Sequence, residues 1–377
     1  MVETVAKIRE YAAKIGYRPQ RFAQIMRGGR TRVIGVVLRL GRYSSHHELV
    51  KRLANELNRT GYRLVMVDLD WFDLNFERVR DYLLDQGVEG LIFCNMVSRS
   101  QCLELKGLLP ASLPIISLSS SLEGVPNLGV DTQGAYHQLT RYHLALGSRW
   151  LAVLPMFRDP GVIFRPDWST WDRVSGFVRG IQEAGGIMVA TDTVRELLEI
   201  PNCKTSVPKG YDGIVGEVLY PEKEARLKDA FGNGYYQMLA LAERGEMPQS
   251  LICLNDDTAL GALAACADRG LQVPSDLRVS GYDDTAAGYY GSVPLTTVRK
   301  PLDDLASTAV KMLIALVEEP ETQMADVNTC LPGQIVVRRS TGTVDENSRL
   351  EAEGFFATSE VFEFQPEEQR QEAVAVS

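Results

Sequence analysis

The run Ser250-Leu251-Ile252-Cys253-Leu254-Asn255-Asp256-Asp257-Thr258-Ala259-Leu260-Gly261-Ala262 reads in three steps. Ser250–Leu254 is a short apolar run, the pattern of a strand buried on both faces. Asn255 and Asp256 are residue types that open a helix by accepting hydrogen bonds from its first free N–H groups. From Asp256 to Asp268 the composition is that of a helix rich in alanine. A buried strand feeding directly into a helix is half of a strand–helix–strand unit, and the same alternation runs outward in both directions. Helices are expected at about 46–60, 75–85, 133–146, 172–184 and 233–244, strands at 33–38, 63–68, 90–94, 115–119, 150–154, 187–190 and 277–280, with a less regular stretch at 195–230. Helices of this length between apolar strands imply parallel sheets covered on both faces, and the count suffices for two of them. A ligand cleft is then expected between two lobes, at the carboxyl ends of the strands.

The 377 residues allow for about two domains at roughly 150 residues each. With 45% hydrophobic and 24% charged residues and a net charge of −9, a disordered or collagen-like chain is excluded. Cys94, Cys102, Cys203, Cys253, Cys266 and Cys330 form no Cys-x-x-Cys pair, and several sit in apolar runs, so they read as buried reduced thiols. Charges throughout the first ten residues exclude an apolar signal core there, and no run of about 18 apolar residues occurs. Cytoplasm is the expected compartment, without membrane contact.

The charge is unevenly spread. Residues 1–40 carry nine Lys and Arg against Glu3 and Glu10, whereas 345–372 carry nine Asp and Glu against Arg349 and Arg370. The acidic end, 341–377, reads as a solvated, flexible tail with Phe355, Phe356, Phe362 and Phe364 as its apolar points. In the basic head, Val5, Ile8, Ala12 and Ile15 recur at helical spacing before Gly16, Tyr17-Arg18-Pro19 forces an extended step, and a short helical segment at 20–27 ends at Gly28-Gly29.

Gly16-Tyr17-Arg18-Pro19 and Thr31-Arg32-Val33-Ile34-Gly35-Val36-Val37 resemble the hinge and first core strand of lactose-repressor/galactose-repressor (LacI/GalR) family regulators. Further similar motifs follow in order: Gly61-Tyr62-Arg63-Leu64, Val88-Glu89-Gly90-Leu91-Ile92, Gly129-Val130-Asp131, Asp172-Arg173-Val174-Ser175-Gly176-Phe177, Leu254 to Ala262, Gly270 to Pro274, Val279-Ser280-Gly281-Tyr282-Asp283-Asp284 and Pro294 to Val298. The resemblance implies an α/β core of the periplasmic-binding-protein-like type I, with two doubly wound parallel-sheet lobes joined by three crossings behind an N-terminal hinge helix segment. It divides the chain into a headpiece remnant and hinge at 1–31, an N-terminal lobe at 32–156 and 294–322, a C-terminal lobe at 157–293 and 323–340, and the tail. It begins partway through the third helix of the family's headpiece. A helix-turn-helix is therefore expected upstream of Met1, or else the protein reads DNA poorly. The stretch at about 192–232 is longer than the family norm, and the tail is additional.

Within that resemblance, Arg173 matches the family's ligand-gripping arginine and Asp283 its ligand-binding aspartate. Asn255, Asp256 and Asp131 lie where contacts to a small effector are expected, with helix capping as the alternative for each. Trp168 and Trp171 offer flat apolar faces to a sugar or nucleobase, or else simply pack. His46 and His47 fall after the first core strand, and their adjacency makes joint metal binding unfavourable. Toward DNA, Met26 matches the minor-groove wedge, with Phe22 and Ile25 beside it; Gln20, Arg21 and Gln24 are placed for groove edges, and Arg18, Arg27 and Arg30 for phosphates. No hydrolase elbow, Walker loop, zinc-protease pair or dinucleotide fingerprint is present, so no enzyme, cofactor or metal is expected. The resulting expectation is a homodimeric transcriptional regulator whose effector, sugar-like in preference to a purine, is linked to operator binding, the operator requiring a form with a complete headpiece. The alternative is a headpiece-free solute-binding or dimer-partner protein of the same fold.

Overall fold

The computed structural model describes residues 30–342 apart from 41–44, 95–98, 119–121, 155–167, 193, 196–199, 201, 220–228 and 320–326. The first apolar run forms β1 (Val33–Leu38), with every residue buried, as expected for a strand covered on both faces. Then follow α1 (Ser45–Arg59), β2 (Arg63–Asp68), α2 (Phe76–Asp85), β3 (Gly90–Phe93), α3 (Arg99–Leu108), β4 (Ile115–Leu118) and β5 (Asn127–Val130). After these come α4 (Thr132–Ala145), β6 (Trp150–Leu154), α5 (Trp168–Glu183), β7 (Ile187–Ala190), β8 (Val215–Val218), α6 (Ala230–Glu243), β9 (Ser250–Cys253), α7 (Asp256–Asp268), β10 (Arg278–Ser280) and α8 (Ala286–Tyr290). The described chain closes with β11 (Thr297–Arg299), α9 (Leu302–Glu318), β12 (Asn328–Leu331) and β13 (Gln334–Val336).

These strands build two sheets. One is six-stranded in the order β12-β5-β4-β3-β1-β2, the other five-stranded in the order β10-β9-β6-β8-β7. Every pairing within them is parallel. In the first lobe, α2 and α3 cover one face through Val79, Leu83, Cys102 and Leu105, while α1 and α9 cover the other through Leu53, Leu57, Ala309 and Leu313. The second lobe is sandwiched likewise between the α4/α5 pair and the α6/α7 pair. Burying one such leucine contributes about 2 kcal/mol. The α6/α7 contact is backbone-close: a Cβ on Gly234 would lie 1.9 Å from the Thr258 carbonyl oxygen, and one on Gly261 1.9 Å from that of Phe231.

Three segments of the described chain pass between the lobes: β5 into α4 at Asp131, β10 through β11 into α9, and β12 into β13, with β11 and β13 pairing antiparallel. The expected boundary at 156 is thereby corrected. β6 belongs to the second sheet, so the first crossing comes at Asp131, and β12 returns to the edge of the first sheet. Local sequence motifs do not specify which strands pair, and pairing decides the boundary. Five strands, β5, β8, β11, β12 and β13, lie outside those expected from the sequence. Residues 127–130 form a strand, and β8 lies inside the stretch read as irregular. Glu217 breaks the apolar run of β8, yet it is buried because Trp150 Nε1 and Arg244 both donate to its carboxylate.

All six cysteines are free, five of them buried. Among the described residues no helix is long and apolar enough to cross a membrane.

Candidate functional site

Strand order determines where a ligand meets these sheets. In the first sheet the chain starts at β1 and runs outward on both sides, so the crevice opens beyond its carboxyl end, where α1 begins. In the second sheet β6 is the turning point, and the segments following β6, β9 and β10 carry Arg173, Asn255 and Asp283 respectively. Both crevices face the crossings.

At their junction lies Tyr282, a fully buried ring. Tyr136 packs against it at 5.7 Å between centroids. The Arg173 guanidinium is 5.1 Å and the Lys300 ammonium 5.7 Å from the ring centre, distances at which a cation is attracted by the aromatic face. The Tyr282 hydroxyl lies 3.4 Å from Thr132 Oγ1 at the first crossing. Asp283, the next residue, has φ of +126°, a conformation L residues rarely adopt. It is held there from two sides: its N–H donates to the Val298 carbonyl, and Lys300 Nζ lies 2.6 Å from its Oδ1. From the first lobe, His46 enters on the first turn of α1 and is buried. Burial first, then the positive charge of Lys300, hold its imidazole down at about 4, with Asp283 pulling the other way and His47 and Arg173 adding smaller downward effects. Arg173, Asp283, His46 and the unanticipated Lys300 and Tyr282 thus share one region between the lobes. Only the neighbouring basic pair Arg299-Lys300 hinted at Lys300 in the sequence.

Most of the other expected contacts make bonds or packing contacts within the protein. Asn255 caps α7, its Oδ1 accepting from Thr258 N–H at 2.8 Å. Asp131 caps α4 through Gly134 N–H at 2.8 Å. Asp256 is entirely buried and accepts from Thr297 Oγ1 at 2.6 Å, Thr285 N–H at 2.7 Å and Thr285 Oγ1 at 3.0 Å. Burial and the neighbouring Asp283 push its carboxyl up to about 6 despite those donors. It fastens the Tyr282–Thr285 loop to β11. His47 is exposed. Trp171 is half-buried and packs on the α4/α5 core. Trp168 starts α5, and its side chain lies outside the described residues. Among the described residues no group of three or more His, Cys, Asp or Glu is placed to hold a metal ion.

Of the expected DNA contacts, Arg18, Gln20, Arg21, Phe22, Gln24, Met26 and Arg27 lie outside the described residues. Arg30 is described, and its guanidinium is directed into the first lobe: it meets Glu89 at 3.2 Å and Glu318 at 3.6 Å and donates to the Val317 carbonyl at 3.0 Å. These partners compete with a phosphate for its charge. Arg30 also rims an open groove of about 720 Å³ with Thr31, Glu89, Pro114 and Val317, at the pole opposite the cleft.

Residues 206–341 match the periplasmic binding protein-like domain. The chain is 25% identical over 343 residues to the HTH-type transcriptional regulator RegA of Clostridium saccharobutylicum, covering 90% of each protein. It is 23% identical over 321 residues to the ribose operon repressor of Escherichia coli K12, covering 84% of this chain and 85% of that one. Its fold superposes on the lac repressor dimer bound to operator and the anti-inducer ONPF with a TM-score of 0.68 over 91% of both chains, at 21% identity. Two parallel-sheet lobes, the ordered motifs and relatives aligned along most of their length make this chain similar to LacI family regulators, with the fold of the periplasmic binding protein-like domain.

Proposed function

We propose that this chain is an effector-responsive transcriptional regulator that holds a small polyhydroxylated molecule, a sugar or sugar derivative, between its lobes and links that binding to an operator through the segment preceding Arg30. The observation that carries this reading is the convergence of Arg173 and Asp283 from the second lobe, Lys300 from a crossing and His46 from the first lobe around the buried Tyr282. An arginine fork, a carboxylate and a neutral imidazole are donors and acceptors suited to vicinal hydroxyl groups, and an aromatic floor suits a sugar ring. Ligand seated there touches both lobes and a crossing, so it favours one lobe arrangement over another, which is the condition for coupling to a distant site. The relatives named as an operon repressor and as an operator-bound repressor support the DNA half of the reading.

Homodimerisation belongs to the same proposal. Phe231 and Tyr236 on α6 and Tyr289 and Tyr290 on α8 are exposed aromatics, Tyr290 at 82%. Leu260 of α7 lies between these helices, 3.6 Å from where a Cβ on Gly291 would sit. A second copy of the chain is the proposed occupant of this apolar face.

The test is a thermal-shift screen against neutral sugars, uronates and nucleobases, followed by selection of duplexes bound by the chain with and without the stabilising compound. A stabilising sugar that changes duplex affinity supports the reading. Stabilisation by nucleobases alone removes the sugar assignment, and duplex affinity indifferent to every stabilising compound removes the coupling.

A further inference from the structure

Three segments that lead into neighbouring strands meet at the amino end of the first sheet: Arg30–Arg32 before β1, Glu89 before β3 and Pro114 before β4. The groove of about 720 Å³ opens there, with the last turn of α9 along its other side. Its apolar lining comes from Leu113, Pro114, Leu316 and Val317. Leu113 packs on the α2/α3 layer and the two α9 residues on the α1/α9 layer, so the groove straddles the edge between the two helical layers. The entering chain is fastened to its lip. Arg30 meets Glu89 at 3.2 Å and donates to the Val317 carbonyl at 3.0 Å, Thr31 Oγ1 donates to the Gly87 carbonyl at 2.6 Å, and Arg32 N–H donates to Glu89 Oε1 at 3.0 Å.

Whatever precedes Arg30 therefore starts at the groove. In the sequence that precedes it, Phe22, Ile25 and Met26 stand at i, i+3 and i+4, the spacing with which an amphipathic segment seats its apolar face in an apolar groove. Ile25 is five residues from Arg30 and so lies within about 18 Å of it. Residues 18–29 also carry Arg18, Arg21 and Arg27 with no Asp or Glu, and Glu89 and Glu318 stand at the groove beside Arg30. A tethered segment meets its site at an effective concentration on the order of millimolar, so even a modest fit is occupied.

We propose that in the DNA-free protein this groove is the seat of the chain's own residues 20–29, with Phe22, Ile25 and Met26 against Leu113, Pro114, Leu316 and Val317. Met26 is also the residue matched to the minor-groove wedge, and it occupies one place at a time. Groove and duplex therefore compete for the same apolar face, and docking lowers duplex affinity by the fraction of chains left undocked. Docking itself needs neither effector nor operator. The competition rests on the reading of 20–29 as a DNA-contacting segment, and the two are scored apart.

The experiment is photo-cross-linking of the full chain carrying Phe22→p-benzoylphenylalanine, irradiated without DNA and mapped by mass spectrometry. Adducts are expected within 110–114 and 313–318 of the same chain, which a mixture of ¹⁵N-labelled and unlabelled chains distinguishes from copy-to-copy adducts. Ala111→Trp fills the groove from an exposed position and is expected to lower the yield at least fivefold. Ile25→Asp is expected to do the same from the other side of the contact. Adducts outside the groove, adducts joining two copies, or a yield untouched by both variants overturn the proposal. Saturation with a duplex selected by the chain is expected to lower the groove yield at least fivefold, and Ala111→Trp to bind that duplex at least twofold more tightly. Groove labelling that persists at saturating duplex overturns the competition. A chain that binds no duplex overturns the competition together with the operator reading, whereas the docking is decided without DNA.

Discussion

The Arg173 guanidinium stands 5.1 Å from the centre of the Tyr282 ring, and that ring is itself packed against Tyr136 deep in the second lobe. The arginine is therefore oriented by an aromatic face that cannot move without disturbing the core. An oriented planar fork loses little freedom on gripping paired hydroxyls or a carboxylate. Arg173→Ala is expected to weaken effector binding by about 2 kcal/mol, near thirtyfold in Kd, and Arg173→Lys to restore little of it. Titration calorimetry reads both, and an unchanged Kd in the alanine variant would remove Arg173 from the site.

Asn255 and Asp256 are adjacent but have separable consequences. Asn255→Ala removes a helix cap and is expected to cost about 1 kcal/mol of stability, leaving effector affinity as it was. Asp256→Asn places an amide NH₂ in a site whose oxygens accept from three donors. One buried N–H or O–H is then unmatched, at a cost of about 2–3 kcal/mol. The Asp283 loop shifts with it, so effector affinity falls too. Urea denaturation with parallel ligand titration separates the two variants; indistinguishable behaviour would mean that Asp256 does not anchor the loop.

His143 is completely buried, its two ring nitrogens 2.8 and 2.9 Å from the hydroxyls of Ser250 and Ser280. Burial, helped by Arg278, pushes its pKa down to about 3, and His46 stands near 4, against 6.5 unfolded. Below pH 6.5 the unfolded chain therefore binds protons that these two residues refuse in the fold, so stability falls with pH toward 4 and, for His143, toward 3. Asp256, raised from 3.8 to about 6, acts in the opposite direction: the fold holds its proton between those values, and stability from this group rises as pH falls. One carboxyl opposes two imidazoles, and a tenfold change in proton affinity is worth about 1.4 kcal/mol. The urea midpoint is expected to drop between pH 7 and pH 5. In His143→Gln it starts lower at pH 7 and drops less. Parallel pH dependences in the two proteins would refute the assignment.

Tyr290, the most exposed of the aromatics on α6 and α8, is the natural probe of self-association. Tyr290→Asp sets a charge into the proposed interface in both copies at once. Sedimentation velocity should show a dimer in the wild type and a shift toward monomer in the variant, with the same unfolding midpoint extrapolated to low concentration. A wild type that sediments as a monomer at tens of micromolar would contradict the interface.

Much of this architecture was legible because its strands are buried on both faces. Runs such as Val33–Leu38 and Ser250–Cys253 are apolar without alternation, and glycine or a polar capping residue marks where each adjoining helix begins or ends. Legibility failed where a charged residue is buried with its partner. Glu217 looks like a solvent-facing residue until Trp150 and Arg244 are brought beside it from distant parts of the chain. It failed again where pairing decides topology, since nothing local tells that β12 closes the first sheet beside β5. In the cleft, Arg173 and Asp283 were found through local motifs. Lys300 was not, because its meaning comes from an ion pair with a residue on another element. Asn255 and Asp131 were read with capping as an alternative to ligand contact, and capping is the bond each makes.

Hydrogen–deuterium exchange with and without the best sugar from the thermal screen tests the central claim most directly. A ligand seated between the lobes slows exchange at once in the first turn of α1, around His46, and in Tyr282–Thr285 with Val298–Lys300, segments far apart in sequence. Protection confined to one lobe, or found at the groove beside Arg30 instead, would contradict it.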